Sequence, residues 1–131
     1  MNGVIHALRD VNLERGRRNE QRFLDAMKAT HSPVKMPKWF IRGYHASKKE
    51  DRFEGKDAVI ETTDAGKLFI QIKSSQAGAQ RFKEKKKGKR YSFIGVIIIR
   101  DDDTIESIRL KTRKILSKLR QDVFAERSNM G

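Results

Sequence analysis

The chain has 131 residues, 37% hydrophobic and 36% charged, with 30 Lys and Arg against 17 Asp and Glu and a formal net charge of +13. That length suits one domain able to bury a core without covalent staples. The absence of cysteine excludes disulfides, a thiol nucleophile and thiolate zinc sites.

A surface this positive attracts polyanions, nucleic acid first, through release of their counterions. The longest apolar run, Phe93 to Ile99, is too short to cross a bilayer. The N-terminus carries no apolar leader. These features predict a cytoplasmic protein with no membrane contact.

In chain order, residues 3–30 predict a helix. Glu20, Phe23, Leu24 and Met27 fall at i, i+3, i+4 and i+7 on one stripe, and Gly16 is a point of bending or breakage. Pro33 and Pro37 end the segment. Residues 38–45, rich in aromatic and β-branched side chains, predict a strand.

Residues 57–62 and 67–73 predict two strands joined by a hairpin turn at Thr63-Asp64-Ala65-Gly66. A three-residue loop, Asp64 to Gly66, places Gly66 in the left-handed position and pairs Val59 with Gln71 and Asp57 with Lys73. One face then carries Ala58, Ile60, Leu68, Ile70 and Ile72. The other carries Asp57, Val59, Glu61, Phe69, Gln71 and Lys73.

Residues 74–90 predict a helix behind a serine cap. Residues 91–100 predict a buried strand from their continuous apolar run. Residues 104–125 fit either one long helix, opened by a capping box of Asp103 and Glu106, or an edge strand followed by a helix from about residue 112. The order defines a mixed α/β domain with helices around a central sheet.

Six acids between residues 50 and 64 interrupt an otherwise basic chain: Glu50, Asp51, Glu54, Asp57, Glu61 and Asp64. They suit either a solvated loop or a divalent-cation site acting on phosphates. Asp57 and Lys73 also suit a plain cross-strand ion pair.

The pattern Asp57, thirteen residues, Gln71-x-Lys73, with a hairpin between and a helical Glu20 upstream, resembles the PD-(D/E)xK nuclease superfamily. The resemblance covers about residues 13–100 and implies the restriction-endonuclease-like αβββαβ core. It is nearest to Holliday-junction resolvases and to Mrr-like enzymes, which also use Gln-x-Lys. It departs from the family at Lys56, where the usual proline is absent, and at Gln71, which stands where a carboxylate is usual.

The resemblance implies a metal-dependent DNA endonuclease that works on branched or duplex DNA as a homodimer. Glu20, Asp57 and Gln71 are the implied ligands of Mg²⁺ or Mn²⁺, and Lys73 is the implied partner of water or phosphate. A non-catalytic nucleic-acid-binding protein on the same fold is the alternative.

Three basic clusters fit a surface that tracks phosphates. Arg15, Arg17 and Arg18 form the first. The second is the run Lys83, Lys85, Lys86, Lys87, Lys89 and Arg90. The third spans Arg109, Lys111, Arg113, Lys114, Lys118 and Arg120. His6, His31 and His45 have no metal-ligand spacing. No phosphate-binding GxxxxGK[ST] loop is present, which argues against NTP hydrolysis.

Overall fold

The computed structural model describes residues 2–47, 57–86 and 94–130, with side chains for 14–47, 57–85 and 94–129. The elements are α1 (Asn2–Lys28), β1 (Phe40–His45), β2 (Ala58–Thr62), β3 (Lys67–Lys73), α2 (Gln76–Lys86), β4 (Ile94–Ile98) and α3 (Ile105–Met130). The class is α/β. Among the described residues there are three helices and a four-stranded mixed sheet in the order β1-β2-β3-β4, antiparallel at the first two pairings and parallel at the third. None of these helices is long and apolar enough to cross a membrane.

The hydrophobic stripe of α1 does what its spacing predicts. Phe23, Leu24 and Met27 are buried against the sheet face that carries Ala58, Ile60, Leu68, Ile70 and Ile72. The helix is unbroken at Gly16, because packing of its apolar stripe outweighs the roughly 1 kcal/mol disadvantage of an internal glycine. α3 covers the same face through Ile108, Leu116, Leu119 and Val123. Its close approach requires Gly95, where an added Cβ would sit 2.2 Å from Ile115 Cγ2.

The region after residue 103 is one helix, which excludes the strand-plus-helix alternative. Its core positions recur at helical spacing from Ile108 to Val123. The capping box is displaced by one residue from the Asp103–Glu106 pairing that the sequence suggests. Thr104 Oγ1 accepts the Ser107 N–H at 3.1 Å, and Ser107 Oγ accepts the Thr104 N–H at 2.8 Å. Asp103 instead accepts from the Arg100 amide, the Ser107 hydroxyl and the Lys111 ammonium.

The hairpin register also differs from the expected one. Val59 pairs with Phe69 and Glu61 with Lys67, a shift of two residues. The turn holds four residues, Thr63 to Gly66, because Thr62 closes it: its N–H donates to Gly66 O, and its Oγ1 both donates to Gly66 O at 2.7 Å and accepts from the Ala65 N–H at 2.9 Å. Gly66 takes the left-handed conformation as predicted, at φ 71°. A two-residue shift preserves the alternation, so both predicted faces survive.

β4 lies at the edge of the described sheet. Its apolar run is therefore only half buried: Gly95, Ile97 and Ile99 are covered, while Ile94, Val96 and Ile98 are partly exposed. α2 begins behind Ser75, whose Oγ accepts the Gly78 N–H at 3.1 Å. It packs against β3 and β4. The predicted extensions of α2 through residues 87–90 and of β4 back to residue 91 lie outside the described residues.

Candidate active site

Asp57 is positioned by backbone and side chain together. Its N–H donates to Ile70 O at 2.9 Å and its carbonyl accepts from the Ala46 N–H at 3.0 Å. Its Oδ2 accepts the Ile72 N–H at 2.7 Å. The carboxylate is thereby held against β3, between the residues that carry Gln71 and Lys73.

Gln71 and Lys73 lie two residues apart on β3 and so share a face. Gln71 is 8% exposed, and its Oε1 is buried with no hydrogen-bond partner among the described residues. An unsatisfied buried carbonyl oxygen costs about 1–3 kcal/mol, so its persistence calls for a ligand or a water. Lys73 is half-buried, its Nζ 5.6 Å from the centre of the Phe82 ring on α2. The structure thus places Asp57 against β3, the strand that carries Gln71 and Lys73.

Glu20 sits half-buried on α1 and has an interaction partner. The adjacent Asn19 is 2% exposed, with its Nδ2 donating to Ile99 O at 3.3 Å and its Oδ1 accepting from Arg22. Arg15, Gly16 and Asn19 line a cavity of about 280 Å³ with Ile72, Lys73 and Ser74. The segment of α1 around Glu20 therefore lies beside the end of β3. Among the described residues, no three His, Asp or Glu side chains converge as a metal cluster. The possible donor set is two carboxylates and one neutral amide oxygen. Gln71 Oε1, without a partner among the described residues, and the Asp57 carboxylate are oxygen donors of the kind a hard cation takes.

Arg15, Arg17 and Arg18 are exposed on α1, Arg18 pairing with Asp101 at 3.1 Å. Lys83 and Lys85 are exposed on α2, Lys86 ends that helix, and Lys87, Lys89 and Arg90 lie outside the described residues. Three of the six members of the third basic cluster, Arg109, Lys111 and Arg120, are tied into the fold. Arg109 is 5% exposed and donates to Ala26 O, Ala29 O and Val34 O, closing the C-terminal end of α1. Burial lowers its pKa. Lys111 is held by Asp103 and Ile98 O, and Arg120 by Asp64. Arg113 and Lys114 remain exposed.

Asn19 and Ser74 are the site-lining residues that the sequence reading passed over. Asn19 lies four residues before Phe23, on the buried stripe, and a polar residue on such a stripe was the available signal. No protein-family model, curated protein or solved structure matches this chain.

Proposed function

We propose that the protein is a metal-dependent DNA endonuclease of the PD-(D/E)xK kind, selective for DNA structure in the manner of a Holliday-junction resolvase or an Mrr-like enzyme. The observation that carries this reading is the buried Gln71 Oε1, without a hydrogen-bond partner among the described residues, on the strand face shared with Lys73, with the Asp57 carboxylate bonded to the intervening Ile72 N–H. The element order and the mixed sheet agree with the αβββαβ core of that superfamily.

Mg²⁺ or Mn²⁺ at this position would supply Lewis acidity toward a phosphodiester and lower the pKa of water. Asp57 and Gln71 would hold it, with Glu20 completing the set from α1. Lys73 Nζ would donate a hydrogen bond to the attacking water or to the phosphate oxygen on which charge develops. The Phe82 ring flanks that ammonium and limits its freedom. Arg15, Arg17, Arg18, Lys83 and Lys85 would position the DNA through its phosphates. One site per chain cuts one strand, so paired cleavage calls for a homodimer.

The test is cleavage of four-way junctions, flaps and plain duplex with Mg²⁺ or Mn²⁺. Asp57→Ala and Lys73→Ala should each reduce the rate about a hundredfold or more. Cleavage unchanged by both substitutions would overturn the assignment.

A non-catalytic nucleic-acid-binding protein on the same fold is the second reading, favoured by one observation: Gln71 contributes no charge where a second strand-borne acid would tighten a metal. Salt-dependent DNA binding without Mg²⁺ binding in calorimetry selects it.

A further inference from the structure

The cavity between α1 and the end of β3 joins Lys73 to residues of α1 in one lined space. Among the described residues its lining contains two cations, Arg15 and Lys73, a hydroxyl, Ser74, a buried amide, Asn19, and no acid. Arg15 makes no ion pair among the described residues. Two other arginines of α1 are engaged: Arg18 with Asp101, and Arg22 with Asn19 Oδ1, Arg100 O and Asp103 O. Gly16 leaves the wall open, since a Cβ there would meet no atom within 4 Å. Asn19 cannot turn its Nδ2 into the cavity without giving up the Ile99 carbonyl. The remaining donors, Arg15, Lys73 and Ser74, face a space of about 280 Å³, enough for one tetrahedral oxyanion with a few waters.

We propose that this cavity is a phosphate subsite, in which Arg15 and Ser74 hold one phosphate group of a nucleic-acid strand next to the phosphate presented to Lys73. Lys73 would then stand between two phosphates and belong to both positions. The identity of the ligand as a bound strand rests on the nuclease reading. The preference for a phosphate rests on the cavity alone, and a free phosphate or mononucleotide offers the same chemistry.

The experiment follows the backbone amide NMR signals of Gly16 and Ser74 in the full chain while a short single-stranded oligonucleotide, and separately inorganic phosphate, is added without metal. Dissociation constants for the oligonucleotide are measured in parallel over a range of salt. Both ligands should move these two signals, the oligonucleotide at far lower concentration. Movement by inorganic phosphate alone would assign the cavity to a free anion and overturn the strand subsite. Arg15→Ala should abolish the shifts, weaken oligonucleotide binding about tenfold and reduce the salt slope by about one. Arg15→Lys should restore part of the affinity. Arg113→Ala, which removes an exposed charge on α3, should leave the Gly16 and Ser74 shifts in place. An oligonucleotide that binds without moving them, or equal losses for Arg15→Ala and Arg113→Ala, would overturn the proposal. A wild-type chain that gives the expected shifts but never cuts DNA with Mg²⁺ would retain the subsite and lose the nuclease reading.

Discussion

Asp57 Oδ2 accepts the backbone N–H of Ile72 at 2.7 Å, so a carboxylate from the residue before β2 is fixed near the C-terminal end of β3. Structure and proposed chemistry therefore meet in one side chain, and two substitutions separate them. Asp57→Asn keeps an amide oxygen for the Ile72 N–H and should preserve the fold. Asp57→Ala leaves that N–H without its acceptor and should destabilise by about 1–3 kcal/mol. Both should abolish Mg²⁺ binding. Urea denaturation with calorimetry of metal binding reads the two effects independently.

Gln71 carries an orphaned oxygen in a nearly dry position. Replacing it by the similarly shaped Met removes an unsatisfied polar atom, so Gln71→Met should be neutral or up to about 1 kcal/mol more stable without metal. The variant should lose any rise in melting temperature that Mg²⁺ gives the wild type. A metal-dependent rise that survives in Gln71→Met would remove Gln71 from the ligand set.

Arg109 satisfies carbonyls of Ala26, Ala29 and Val34 from inside the protein. Arg109→Met keeps apolar bulk but orphans those oxygens, and about 2–4 kcal/mol of stability should be lost. Amide hydrogen exchange should quicken first in the last turn of α1. Unchanged exchange there would show that the α1 terminus does not depend on this side chain.

Asp103 gives a pH signature. Burial would raise its pKa, but hydrogen bonds from the Arg100 amide, the Lys111 ammonium and the Ser107 hydroxyl outweigh burial and hold the carboxyl below its usual value. A depressed folded-state pKa adds stability that is complete above the unfolded value near ~4 and is lost as pH falls through the lower folded value. Asp103→Asn should therefore be less stable than wild type at pH 7, by about 1–2 kcal/mol, and the two should converge as the solution is acidified below about pH 4. A stability gap that stays constant with pH would contradict this account.

Gly95 marks where α3 presses on β4. A Cβ there would meet Ile115 Cγ2 at 2.2 Å and Leu119 Cδ1 at 3.1 Å. Gly95→Ala should cost about 1–3 kcal/mol through overpacking. Trimming the opposing side chain in Gly95→Ala/Ile115→Val should recover part of that loss, measurable as a double-mutant cycle.

The elements themselves were legible because they are local. Helical spacing at Phe23, Leu24 and Met27 and strand alternation from Leu68 to Ile72 depend only on backbone periods of 3.6 and 2. Gly66 in the left-handed position followed from the lack of a Cβ. The turn length did not follow, because it was set by Thr62, whose hydroxyl bonds the Ala65 amide and the Gly66 carbonyl. The role of Arg109 was equally hidden. A lysine-and-arginine-rich helix reads the same whether its cations face solvent or the carbonyls of a helix more than seventy residues away.

By itself, the sequence determined the α/β order, the two faces of the hairpin and the grouping of Gln71 with Lys73, since these follow from alternation along single strands. Only the tertiary structure decided that the Asp57 carboxylate rests on the Ile72 amide, that Gln71 Oε1 is buried without a partner among the described residues, and that Arg15 comes to the end of β3. Those relations join segments far apart in the chain. They depend on register, helix placement and burial, which local propensity does not encode.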